Sequence, residues 1–188
     1  MELWIMGARL AFGDGIYEKK AFAGEPGGKA DYNAKFILPV GHKQIGEIEK
    51  AEAQVAKDKW GAKADANLKV VKAKGRSLLK DGSTQRSDGF ADNLFVSARA
   101  DTRPTVVGRD RSPKQKGDNG APYSGCYVNV KLDVWAQDNQ WGQGINATLL
   151  GVQFVRDGDS FAAGAPPANP DDFPDLGVED DGGDSLFD

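Results

Sequence analysis

A run of ten residues with strict alternation constrains the fold of this chain more than any other feature. From residue 126 to residue 135 every even position is apolar, and the odd positions carry polar or aromatic side chains. Successive side chains of a β-strand point to opposite faces, so this pattern requires a strand with one buried face. The opposite face of that strand displays Tyr127, Lys131 and Trp135.

A second stretch repeats the alternation. In residues 94 to 99 the even positions are apolar, and Phe95 and Arg99 fall on the other side. Aromatic rings stack on unpaired bases with about 1 to 3 kcal/mol per base, and basic side chains pair with phosphates. Because both strands place aromatic and basic residues on one face, we predict that this face binds nucleic acid. The alternative is that the rings pack against a second sheet or a helix.

The composition favours a β-rich domain. The 188 residues include 24 glycines and nine prolines, which indicates many turns between short elements. Apolar residues recur at helical spacing in residues 45 to 60 and predict one amphipathic helix. We therefore predict a mainly β fold with one or two helices, whose strands cover residues 3–12, 32–40, 93–100, 105–107, 123–135 and 145–156.

Charge divides the chain into two parts. All 24 basic residues lie at or before Arg156, and the 32 residues after it contain ten acids and no base. The first 156 residues therefore carry a net charge of +6, which predicts a polyanionic partner. The candidate phosphate contacts in two basic clusters are Lys72, Lys74, Arg76, Arg103, Arg109 and Arg111.

Several classes of site are not expected. The chain has one cysteine, Cys126, and one histidine, His42, so it can form neither an internal disulfide nor a Cys/His zinc site. We predict no metal site and no cofactor. No window approaches 18 consecutive apolar residues, and the first residues lack the pattern of an export signal, so we expect no association with membranes.

Four blocks in the last third of the domain resemble a known family. Residues 123–129 read Tyr-Ser-Gly-Cys-Tyr-Val-Asn, 135–139 Trp-Ala-Gln-Asp-Asn, 144–147 Gly-Ile-Asn-Ala, and 151–159 Gly-Val-Gln-Phe-Val-Arg-Asp-Gly-Asp. Their order is similar to that in a family of phage single-stranded-DNA-binding proteins, first catalogued as a domain of unknown function. The resemblance implies an oligonucleotide-binding (OB) fold, a partly open barrel of five strands. It also implies sequence-independent, non-enzymatic binding of single-stranded DNA during phage replication, in the cytoplasm of the bacterial host.

The acidic end resembles the tails of single-stranded-DNA-binding proteins. We predict an OB-fold domain over residues 1–165 and a disordered tail over residues 166–188. Such tails place apolar residues among acids and recruit replication or recombination proteins. The residues of this kind here are Asp171, Asp172, Phe173, Leu186 and Phe187.

Three alternatives remain open from the sequence. The protein could anneal complementary strands in recombination, or its tail could be only a solubilising extension. Carboxylates could instead hold metal ions in a nuclease, for which the candidates are Asp133, Asp138, Asp157 and Asp159. The sequence does not fix whether the protein forms homo-oligomers.

Overall fold

Five strands close into a barrel in the computed structural model, which describes residues 1–21, 29–87 and 89–161. The order β4-β2-β1-β6-β7 returns to β4 through a parallel pair between Arg99 and Thr148. Two short strands, β3 and β5, extend the sheet beyond this ring. The predicted OB fold is confirmed. The strands are β1 Glu2–Ala11, β2 Tyr32–Pro39, β3 Leu79–Asp81, β4 Asn93–Ala100, β5 Thr105–Val107, β6 Tyr127–Asn139 and β7 Gly142–Arg156.

The alternation that predicted the central strand sets its inner face. All the even-numbered side chains from Cys126 to Val134 are 0% exposed and line the core. The regular strand starts later than predicted, at Tyr127, because the preceding residues form a turn. It also extends to Asn139, since its polar last residues pair with Gly142 and its neighbours in a long hairpin.

Two helices connect β2 to β3. The first, α1, spans Ile45–Trp60 as predicted, and it packs against β6 and the second helix. The stretch of residues 63 to 80 contains that second helix, α2 Ala64–Ala73, together with β3, which the sequence pattern did not predict. Within the described residues, neither helix combines the length and the apolar composition needed to cross a bilayer.

A buried carboxylate joins α1 to the start of β3. The side chain of Glu52 is 1% exposed, and its Oε1 accepts hydrogen bonds from the backbone N–H of Leu78 at 2.5 Å and of Leu79 at 3.3 Å. Its Oε2 lies 3.9 Å from the Lys72 ammonium. Burial raises the pKa of Glu52, because removing water disfavours the charged carboxylate more than these partners stabilise it.

We expect E52Q to stabilise the protein increasingly as the pH rises. The folded wild type binds this proton more tightly than the unfolded chain, so its contribution is complete at low pH and is lost as the pH rises through the raised pKa. Glutamine keeps an oxygen for Leu78 without the charge. The difference in unfolding free energy between E52Q and wild type should grow by about 1.4 kcal/mol for each unit by which folding raises the pKa of Glu52.

Urea denaturation at several pH values measures this difference. E49Q is the matched control, since Glu49 is an exposed carboxylate on the same helix. A difference between E52Q and wild type that stays constant from acid to neutral pH would contradict the assignment.

Candidate nucleic-acid interface

The outer surface of β2 and β4 forms the floor of a cleft of about 840 Å³, here called cleft 1. Its walls come from the connection between β1 and β2 and from the segment before β4. OB folds bind oligonucleotides on the second and third barrel strands and on the adjoining loops, which in this barrel are β2, β4 and their connections. The cleft is lined by four basic residues, Lys20, Lys35, Arg86 and Arg99.

Three phenylalanine rings lie along cleft 1. Phe12 follows β1 with a left-handed backbone, φ 59°, and its ring is 44% exposed. Its centroid is 6.2 Å from that of Phe90, which meets Phe95 edge-on at 5.2 Å. Phe90 and Phe95 are 0% and 2% exposed, so Phe12 is the ring of this group that offers a face to a base.

Arg99 lies between cleft 1 and a second one. Its Nε donates to Asp31 Oδ2 at 2.6 Å, and the Asp31 carboxylate also accepts from Asn33 Nδ2 at 2.9 Å. Asp31 is 7% exposed, so a nearly buried carboxylate fixes the position of the Arg99 guanidinium. Because Arg99 lines both clefts, they adjoin at this residue.

The second cleft, cleft 2, is polar and has a volume of about 530 Å³. Arg76, Lys80 and Arg99 supply positive charge. Trp141, at the tip of the β6–β7 hairpin, is 73% exposed, and its backbone oxygen accepts from Arg76 Nη1 at 2.7 Å. The remaining polar side chains are amides, Gln137, Gln143 and Asn146.

Phe95 occupies the side of β4 that the alternation predicts, but a loop covers it. Its side chain lies outside the barrel with Ile37, in a separate apolar cluster closed by Phe90 and Phe161. A base could stack on Phe95 only after these neighbours moved. The strand pattern placed the residue on the correct face, and the loop conformation decided its exposure.

The predicted contacts on β6 have other partners. The Arg156 guanidinium lies 3.4 Å from the centroid of the Tyr127 ring and covers one of its faces. Lys131 pairs with Glu2 at 2.9 Å. Trp135 is 43% exposed and donates from Nε1 to Thr148 Oγ1 at 3.2 Å, beside the pair that closes the barrel.

The structure brings one residue of the predicted basic clusters into a cleft, namely Arg76. Lys72 and Lys74 lie at the end of α2, and Arg103 donates to Gln115 at 2.6 Å. Arg109 and Arg111 are exposed in the loop after β5. In the described part of the chain, these five residues are not among those lining either cleft.

Sequence reasoning missed two exposed aromatic residues and four basic residues that line the clefts. The predicted first strand ran to Phe12, but β1 ends at Ala11 and Phe12 has a left-handed backbone. Trp141 lies in a turn, where strand alternation makes no prediction, although a large aromatic in a polar turn is itself a signal. The other four are Lys20, Lys35, Lys80 and Arg86. Alternation shows which strand residues face outward, but it does not show which outward side chains converge on one surface. These residues were therefore missed.

The Tyr-Ser-Gly-Cys block, residues 123–126, links separate chain segments at the end of the barrel. The Tyr123 hydroxyl contacts Asp157 Oδ1 at 2.9 Å, and Ser124 Oγ accepts from the backbone N–H of Gly13 at 2.7 Å. At Gly125, with φ 107°, a Cβ would lie 2.1 Å from the Asp159 oxygen, so only glycine fits. This motif therefore joins three chain segments, and its Tyr123 and Ser124 also line cleft 1.

Cys126 completes the turn from inside the core. It is 0% exposed, and burial raises the pKa of its thiol to about 11. The thiol is therefore protonated at neutral pH, and Cys126 is a core residue rather than a nucleophile.

The chain reaches the rim of cleft 1 again at Phe161. Its backbone N–H donates to Ser124 O at 3.2 Å, and the Arg9 guanidinium lies 4.2 Å from its ring centroid. Gly89 permits this packing, since a Cβ there would meet the ring at 2.4 Å. The predicted tail residues, Asp171, Asp172, Phe173, Leu186 and Phe187, and the proposed boundary at residue 165 lie outside the described residues.

The four candidate nuclease acids have separate partners. Asp133 pairs with the amino group of Met1, Asp138 accepts from Gln143, and Asp157 accepts from Tyr123. The backbone oxygen of Asp159 accepts from Arg9. Within residues 1–21, 29–87 and 89–161, no group of three His, Cys, Asp or Glu residues is arranged to hold a metal ion.

Comparisons with known proteins agree with this fold. The structure of the single-stranded-DNA-binding protein from bacteriophage Enc34 matches with a TM-score of 0.66 and 24% identity, covering 88% of this chain and 87% of that one. The same protein in complex with single-stranded DNA matches with a TM-score of 0.61 and 23% identity, covering 86% and 89%. The single-stranded-DNA-binding protein gp2.5 of bacteriophage T7 matches with a TM-score of 0.50 and 13% identity, covering 89% and 98%.

Sequence comparison extends the similarity to nearly the whole chain. Protein p50 of Acyrthosiphon pisum secondary endosymbiont phage 1 is 36% identical over 184 residues, which are 96% of this chain and 97% of p50. The family model of the Enterobacter phage Enc34 single-stranded-DNA-binding protein matches residues 1–183. The chain therefore belongs to the Enc34 family of phage single-stranded-DNA-binding proteins.

Proposed function

We propose that this protein coats single-stranded DNA without sequence preference, along a path from cleft 1 over Arg99 into cleft 2. The observation that carries the proposal is the continuity of the two clefts, with basic side chains and an exposed aromatic ring in each. A duplex keeps its bases stacked inside, whereas a single strand can place them on protein rings.

The path divides the chemistry between aromatic and basic groups. Phe12 and Trp141 provide rings on which bases stack, a contact that does not depend on base identity. Arg76, Arg86 and Arg99 provide charge for phosphates and release counterions when the strand binds. Trp135 lies on the outer face of β6 beside cleft 2 and could extend the stacking surface.

The family supports a proposal for the biological role. We propose that the protein serves phage DNA replication and recombination by holding the bases of single strands, without catalysing a reaction itself, in the cytoplasm of the infected host. We propose that the acidic segment of residues 166–188 recruits replication or recombination proteins, with Phe173, Leu186 and Phe187 as apolar anchors. Homo-oligomer formation stays a prediction.

The protein should prefer single strands to duplexes. Fluorescence anisotropy with labelled oligo-dT and with a duplex of equal length measures both affinities at matched salt concentrations. Equal affinity for the two would contradict the proposed path. A strand-annealing assay in the same buffer distinguishes coating, which slows pairing, from the annealing alternative, which accelerates it.

Removing the exposed ring of cleft 2 should weaken binding to oligo-dT. We expect W141A to lose about 1 to 3 kcal/mol, since stacking of one base is lost, and F12A to lose a similar amount in cleft 1. W4A is the matched control, because Trp4 is 48% exposed on β1 and is not among the residues lining the clefts. A loss in W4A as large as in W141A would place the strand elsewhere.

Deleting residues 166–188 should strengthen DNA binding at low salt. This segment contains eight acids and no base, so it competes with phosphates for the basic clefts. A full-length control with all eight acids changed to amides separates charge from length, and it should bind as tightly as the truncated protein. Unchanged affinity in both variants at low salt would reject the competition.

A further inference from the structure

Two lysines approach the Phe95 ring from the strands on either side of β4. Lys35 lies on β2 opposite Ser97, and Lys80 lies on β3 opposite Phe95 itself. Their ammonium nitrogens are 5.4 Å and 6.0 Å from the centroid of the Phe95 ring. Lys35 lines cleft 1 and Lys80 lines cleft 2, so the pair lies where the two clefts adjoin.

The position of Lys35 is fixed before any ligand arrives. Its ammonium nitrogen lies 5.2 Å from the Phe12 centroid and 5.6 Å from the Phe90 centroid, in addition to the contact with Phe95. The ammonium also donates to Gln85 Oε1. Cation–π contacts with three rings hold the charge in one place, and a fixed group loses less conformational entropy on binding.

The charged neighbours of the two lysines are mainly positive. Arg99 and Arg86 line cleft 1 with Lys35, and Arg76 lines cleft 2 with Lys80. Lys20 and Asp14 lie together at the cleft 1 rim, where Asp14 also pairs with Lys116 at 2.8 Å.

Burial lowers the pKa of both lysines, and repulsion from Lys35 contributes at Lys80. The buried carboxylate Glu52 acts on the pKa of Lys80 in the opposite direction. An anion placed between the two ammonium groups would relieve both effects.

We propose that Lys35 and Lys80 together hold one phosphate group of the bound strand beside Phe95, where the two clefts adjoin. The proposal rests on the DNA-binding function proposed above and assigns one atomic contact to it. It gives Phe95 a role in positioning the two lysines instead of a role as a stacking platform. A phosphate fits better than a base there, because Phe95 is 2% exposed and the groups of this site that line the clefts are the two lysines.

A bound phosphate stabilises the charged lysines and raises their lowered pKa values. Free protein therefore loses protons from this pair at a lower pH than the complex does. Over that interval binding must be accompanied by proton uptake, so affinity decreases as the pH rises. Below the lowered pKa values both lysines are charged in the free protein, and this contribution to the pH dependence disappears.

The test uses the full-length protein with K35M, K80M and the double variant. Methionine keeps an apolar stem over Phe95 and removes the charge. K43M is the matched control, because Lys43 is exposed in the turn before α1 and is not among the cleft-lining residues. Binding of labelled oligo-dC is measured by anisotropy in a salt series, and again from about pH 7 to about pH 10, where cytosine does not titrate.

One shared phosphate makes a specific prediction for the salt dependence. The slope of log K against log salt should become shallower by about 0.7, not about 1.4, in the double variant. It should change by less than this in each single variant, because the remaining lysine still neutralises the shared phosphate. The decrease in affinity with rising pH should be smaller in all three variants than in wild type and K43M. Circular dichroism and thermal unfolding check that each variant is folded, and K80M alone tests the site if K35M does not fold.

Three outcomes would overturn the inference. Weaker binding of the double variant with an unchanged salt slope would mean that the lysines contact bases or only support Phe95. A salt slope that is shallower by about 1.4 in the double variant would mean that the two lysines contact two separate phosphates. Variants that bind and titrate like wild type would exclude the site while leaving the proposed function intact, whereas a wild type that does not bind oligo-dC or oligo-dT would contradict that function itself.

Discussion

Burial of the inner face of β6 is the interaction on which the rest of this structure depends. Five side chains from Cys126 to Val134 are completely buried. Burial of each valine or leucine among them stabilises the folded state by about 1.5 to 3 kcal/mol. The strand pairs with β1 on one side and with β7 on the other, so its register sets theirs. A shift of one residue would turn the whole apolar set outward, and this cost fixes which residues face the solvent.

Barrel closure then brings distant parts of the chain together. The pair between Arg99 and Thr148 joins β4 to β7, and it places Arg99 near the end of α2 and the β6–β7 hairpin. Cleft 2 depends on this closure, since it is lined by Arg99 of β4 and by residues of the β6–β7 hairpin. Arg99, held by the buried Asp31 carboxylate, is common to both clefts.

The outer face shows how local context changes the role of a side chain. Phe95 and Trp135 both point away from the core of the barrel, as their strand positions require. Phe90 covers Phe95, whereas Trp135 is 43% exposed. The difference comes from the connection that precedes β4, and that connection also holds Lys35 through Gln85.

The amino-acid sequence by itself determined the strands other than β3, the first helix, the inner face of β6 and the family, because these depend on local periodicity and on blocks of residues in order. It also determined the basic character of the domain and the acidic character of residues 157–188. Only the tertiary structure decided which cations share a surface, placing Arg76 beside Trp141 and Lys35 beside Phe12. The physical reason is that convergence depends on sheet order, barrel closure and loop packing, which are long-range interactions that no local pattern encodes.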